Sequence, residues 1–148
     1  IRGGKNASTV FINDITNGNI QMGNGSSKVG INTLPFPPAT ALEINGGLSL
    51  RTALTSVAGG GTIDVGDRSF IVVYAITPGF NVVHLSNGIS AGQFLILMGD
   101  PANALAASVL LDETNLEING QFSFGRNNTI TLIWTGVKWM ELSRSNNN

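Results

Sequence analysis

Residues 129–142 read TITLIWTGVKWMEL, two apolar runs separated by a short break between Trp134 and Trp139. The break contains a glycine, which tolerates the backbone angles of a tight turn, while the flanking runs are rich in Ile, Leu, Thr and Trp, residues that favour strands. The spacing predicts strands over 129–134 and 138–142 joined as a terminal hairpin. A chain that ends in this way is built from sheet.

The same punctuation runs through the rest of the sequence. Five Asn-Gly pairs, at 17–18, 24–25, 45–46, 87–88 and 119–120, lie between short stretches of Val, Ile, Leu, Phe and Thr. Asn and Gly both accept positive φ, so the pairs predict β-hairpin turns. Further strands are expected near 8–12, 18–22, 28–32, 41–45, 47–54, 61–65, 69–76, 80–85, 93–98, 108–111, 115–119 and 121–124. Helix has little room. Residues 101–111, PANALAASVLL, leave two readings open: a helical turn opened by Pro101 and favoured by the alanines, or a buried strand through Val109, Leu110 and Leu111.

The segments ALEINGGLSL (41–50) and NLEINGQFSF (115–124) echo one another. With side chains alternating at period two, Leu and Ile share one face and Glu takes the other, and the pattern reads as one hairpin used twice. A boundary falls where RTALTSVAGGGT (51–62) ends in three glycines, which we read as a hinge or turn because no phosphate-cradle motif follows them. We therefore expect one region over 1–55 and a second over 56–148. The first is short, polar and broken by turns, so it needs partners to build a core. Residues 35–38, Pro-Phe-Pro-Pro, read as an extended connector. The chain begins at Ile1 with no basic-then-apolar leader, which points to a processed or excised piece.

Composition narrows the function. Only 11% of the 148 residues are charged while 42% are apolar, and mean hydropathy is +0.19. Typical domains carry about 25% charged residues. One resolution is burial of apolar surface against other copies of the chain. A net charge of −1 gives no footprint for nucleic acid or anionic lipid. There is no cysteine, hence no disulfide framework or thiolate site. The longest apolar runs, FIVVYAI (70–76) and FLILM (94–98), are too short to span a bilayer, so membrane insertion is not expected.

VGINT (29–33), the proline connector and ALEINGGLSL together resemble the repeat-like shaft sequences of bacteriophage tail fibres and related trimeric surface proteins, especially those of Bacteroidetes phages and bacteria. Val29, Gly30, Ile31, Thr33, Pro35, Leu42, Glu43, Asn45 and Gly46 carry the match, with Asn32 where a second glycine is usual. The stretches GGGTIDVGDRSFIVVYAI, NVVHLSNGISAGQFLILMGD and NNTITLIWTGVKWMEL are similar to the terminal all-β domain of such proteins, with Trp134 where Tyr is common. The resemblance implies an all-β homotrimer: an intertwined β shaft followed by a β-prism or β-sandwich-like C-terminal head, carried on the virion or cell surface and attaching to a host glycan or protein.

Little in the chain reads as chemistry. The sole histidine, His84, lies in the alternating run FNVVHLSNG, on a face with Phe80, Val82 and Ser86, and is expected to be packed or hydrogen-bonded. Asp112, Glu113 and Glu117, or Asp64 and Asp67, could offer oxygens to Ca²⁺, but neither spacing follows a calcium loop, and both groups read as solvated turn acids. Trp134, Trp139 and Tyr74 either cap a core or stack on sugars; we read them as framework. Three Asn-X-Ser/Thr sequons, at 6–8, 24–26 and 127–129, carry little meaning in so asparagine-rich a chain.

No residue is assigned to catalysis, a cofactor or a metal, and no cofactor is expected. The receptor-binding residues are left unassigned. The expectation is a non-enzymatic, adhesive fibre tip. Its rivals are a secreted bacterial adhesin or filament subunit, a polysaccharide-cleaving tailspike, and a tip whose sole task is to register three chains.

Overall fold

The structure is a computed structural model that describes residues 29–31, 42–76, 81–102, 108–111 and 113–147. The chain divides into two compact units, Ile1–Ser49 and Leu50–Asn148. In the first, β1 (Val29–Ile31) pairs parallel with β2 (Leu42–Ile44), Val29 opposite Leu42 and Ile31 opposite Ile44. The strands expected over 8–12 and 18–22, the first two Asn-Gly pairs and the connector 35–38 lie outside the described residues.

The second unit is all-β, with no helix among the described residues. Its strands are β3 (Ala53–Val57), β4 (Thr62–Ile63), β5 (Phe70–Ala75), β6 (Asn81–Val82), β7 (His84–Leu85), β8 (Phe94–Gly99), β9 (Ser108–Leu110), β10 (Leu116–Glu117), β11 (Phe122–Ser123), β12 (Thr129–Trp134) and β13 (Trp139–Ser145). Six of them form one mixed sheet in the order β10-β13-β12-β8-β5-β3. The remainder form two small sheets, β11-β9-β6 and β4-β7. The predicted terminal hairpin is present as the antiparallel β12–β13 pair, with Trp134 opposite Trp139. In the 101–111 stretch the strand reading holds at β9, with Val109 and Leu110 buried; residues 103–107 are not described.

Period-two alternation places the core. Ile130, Leu132 and Trp134 of β12 are buried, and so are Leu95 and Leu97 of β8 and Ile71 and Val73 of β5. These meet Ile63, Leu85, Leu110 and Phe122 from the small sheets, and Phe124 just after β11, in one continuous apolar cluster. Two layers of strands share one core, the arrangement of a sandwich.

The Asn-Gly hairpin reading fails at the three described pairs. Asn45-Gly46 follows β2, whose ladder is parallel to β1, and residues 47–52 form no strand. Asn119-Gly120 is a corner between layers: β10 pairs parallel with β13 in the large sheet, and β11 pairs antiparallel with β9 in a small one. Gly120 does adopt the positive φ of 70° that the pair permits. A left-handed glycine allows a sharp change of direction, and the destination is set by where Phe122 and Phe124 find burial. At Asn87-Gly88 the glycine serves close packing, because a β-carbon there would overlap the ring of Trp134.

Candidate functional site

The polar side chains of the second unit gather first around Ser86, just after β7. The Ser86 hydroxyl accepts from the Val65 amide at 2.9 Å and its carbonyl accepts from Trp139 Nε1 at 2.9 Å. Beside it, Asn115 Nδ2 donates to the Leu85 carbonyl and to Asn87 Oδ1, both at 2.9 Å. Buried backbone groups that leave a ladder need such partners, and these bonds tie the loops to the hairpin. His84, half-exposed on β7, pairs through Nδ1 with Glu113. That matches the expectation of a hydrogen-bonded histidine, though not the partner.

A second grouping lines a shallow groove of about 410 Å³ between β10 and β13, formed by Glu117, Ile118, Asn119, Met140, Glu141 and Leu142. Its carboxylates are engaged. Glu117 faces Lys138 at 3.4 Å. Glu141 accepts from the Nε and Nη2 of Arg144 and from the Asn119 amide at 2.8 Å. The Arg144 guanidinium holds the Glu141 carboxyl below the usual carboxylate range, and the pairing raises Arg144 in turn. A carboxylate kept ionised in this way is a poor proton donor, so Glu141 is unsuited to the acid half of a glycosidase pair.

Glu141 and Arg144 were not singled out in the sequence, and spacing gives a reason. Three residues apart on a regular strand, they would point to opposite faces. The ladder slips between Thr131 and Leu132, which pair with Ser143 and Glu141, so Leu142 is the extra residue of a bulge. Past the bulge Arg144 returns to the face of Glu141. There it donates from Nη1 to the Gln121 carbonyl at 2.9 Å and covers the Phe122 ring.

Glu113 and Glu117 are held by His84 and Lys138, Asp112 is not described, and no three ligating side chains converge among the described residues. Trp134 and Trp139 are buried with ring centroids 5.3 Å apart, so neither indole is open to a sugar. Tyr74 differs, with 39% of its surface exposed.

Tyr74 belongs to the outward face of the large sheet, which is the main surface feature of this unit. Register places Leu54, Val72, Met98 and Thr129 in one row, in which Val72 is buried beneath its neighbours and Met98 is partly exposed. Phe70, Ile96 and Thr131 form the next, and Phe94, Ile133 and Met140 a third. Leu54 is 69% exposed, and Phe94 and Met140 are each 41% exposed. Outward positions on β3, β5, β8 and β12 carry no charged side chain. An ordinary one-sided sheet turns charged and polar residues to water; this one turns mainly apolar side chains, with Ser56, Thr129 and Thr131 among them.

A two-layered unit with a single core and no helix among its described residues is a β-sandwich domain. Residues 51–140, well over half of the chain, match the family model of the phage depolymerase C-terminal beta sandwich domain, and the chain belongs to that family. This supports a phage tail-associated, virion-borne protein. A search of curated proteins returns no match.

Proposed function

We propose that this chain is a non-catalytic, adhesive part of a phage tail fibre, working as a homotrimer that attaches the particle to a surface glycan or protein of its host. The observation that carries the reading is the uncharged, apolar outward face of the six-stranded sheet, left open by a chain with only 11% charged residues. Such a face is suited to packing rather than to chemistry. The engagement of Glu113, Glu117 and Glu141 by His84, Lys138 and Arg144 supports the same view. Three identical copies on one fibre raise the effective concentration of weak sites, so attachment needs no high affinity at any one of them.

A second reading comes from the family's name. As the terminal sandwich of a phage depolymerase, this unit would serve a polysaccharide-cleaving tailspike whose reacting groups lie elsewhere. Incubation of the purified chain with a panel of bacterial capsular and O-antigen polysaccharides tests the adhesive, non-catalytic role of this chain. Retention of a polysaccharide without new reducing ends supports the adhesive role. Steady release of oligosaccharide by the chain itself would overturn it.

A further inference from the structure

We propose that the outward face of the six-stranded sheet is the surface on which copies of this chain pack together, centred on Leu54, Phe70, Tyr74, Phe94, Ile96 and Met98. The inference rests on the homotrimer reading and deepens it by naming the face.

Three properties of the face select a second copy as its occupant. Its charge is the first. With no ionised group at the outward positions of β3, β5, β8 and β12, two such faces meet without like-charge repulsion and without stranding an unpaired ion. A strongly acidic or basic partner finds no counter-charge there. The hydroxyls of the face are those of Ser56, Tyr74, Thr129, Thr131, Ser143 and Ser145, which leaves Leu54, Phe70, Phe94, Ile96 and Met98 offering a glycan none.

Size is the second. Strands lie about 4.8 Å apart and same-face residues about 7 Å apart, so five strands and three to four rows span on the order of 500 Å². That is the size of the largest apolar patch on a typical monomer, a patch that is often functional. The third is the border. The Glu117–Lys138 pair stands on β10 and beside the hairpin turn, outside the apolar rows, giving an apolar centre with a charged margin.

The test uses the full chain carrying Leu54→Lys or Phe94→Lys, with Val137→Lys in the β12–β13 turn as the control. Leu54 and Val137 are 69% and 73% exposed, so a lysine at either reaches water in a single chain. Mass is followed by light scattering over a dilution series, and tryptophan emission reports whether the buried Trp134 and Trp139 stay buried. L54K and F94K are expected to raise the concentration of half-dissociation at least about tenfold while keeping native emission, with V137K matching the parent. Variants that hold the parent's oligomeric mass and midpoint would overturn the choice of face while leaving self-assembly standing. A parent chain that is monomeric throughout would overturn both.

Discussion

Arg144 grips Glu141 with two of its nitrogens across the bulge in β13, and through Glu141 it fixes the Asn119 amide at the corner where the chain leaves one layer for the other. The pair is a clamp on the inter-layer crossing. Arg144→Met removes a half-buried partner and leaves a carboxylate beside apolar side chains. Thermal or denaturant unfolding at neutral pH should show a loss of about 1–3 kcal/mol.

The clamp also carries a pH signature. Glu141 has its folded-state pKa lowered by Arg144, so its contribution is fully present above the pH at which an ordinary glutamate titrates and is lost as pH falls through the lowered value. The stability gap between the parent and Glu141→Gln should therefore narrow as the buffer is taken from neutral into that acid range. A gap that stays constant on acidification would contradict this role.

Gly88 and Trp134 touch with no room between them. Gly88→Ala forces a buried indole to move, and overpacking of this kind costs about 1–3 kcal/mol. Urea unfolding of G88A should show the lowered midpoint, whereas Val137→Ala in the exposed turn should leave it unchanged.

The Trp139 indole is held by a hydrogen bond to the Ser86 carbonyl as well as by packing. Trp139→Phe keeps most of the apolar contact and orphans that carbonyl, so a loss of about 1–3 kcal/mol is expected in the same unfolding assay. Because both indoles are buried, saturating a retained polysaccharide should leave the parent's tryptophan emission unmoved. A ligand-dependent shift would place a sugar against an indole and contradict the framework reading.

His84 and Glu113 face one another on a part-exposed surface. Water competes for both groups, and His84→Gln is expected to cost less than about 1 kcal/mol. Polysaccharide retention should be the same for parent and variant if the histidine acts only within the fold.

Much of the sandwich was legible because its strands obey period two. The apolar runs in TITLIW and FLILM marked β12 and β8, and the glycine between Trp134 and Trp139 marked the β12–β13 hairpin. Leu116, Ile118, Phe122 and Phe124 are buried on the face that alternation assigned them. Pairing was less legible. An Asn-Gly step states that the chain can turn, and only the distant partners, β13 for Leu116 and β9 for Phe122, decide that residues 119–120 form a corner.

The clamp was hidden for a related reason, since a bulge is a relation between two strands and has no mark in one. The outward face was half visible. Low charge pointed to buried apolar surface between copies, but the rows from Leu54 to Met98 and from Phe70 to Ile96 exist only once three parallel or antiparallel registers are combined.

The account stands or falls on self-association. Its most direct test is the mass of the intact chain in detergent-free buffer, by light scattering over a wide range of concentrations. Three times the 15.5 kDa chain mass is the expected result, with a melting temperature that falls on dilution. A single-chain mass at every concentration, with melting independent of dilution, would contradict it.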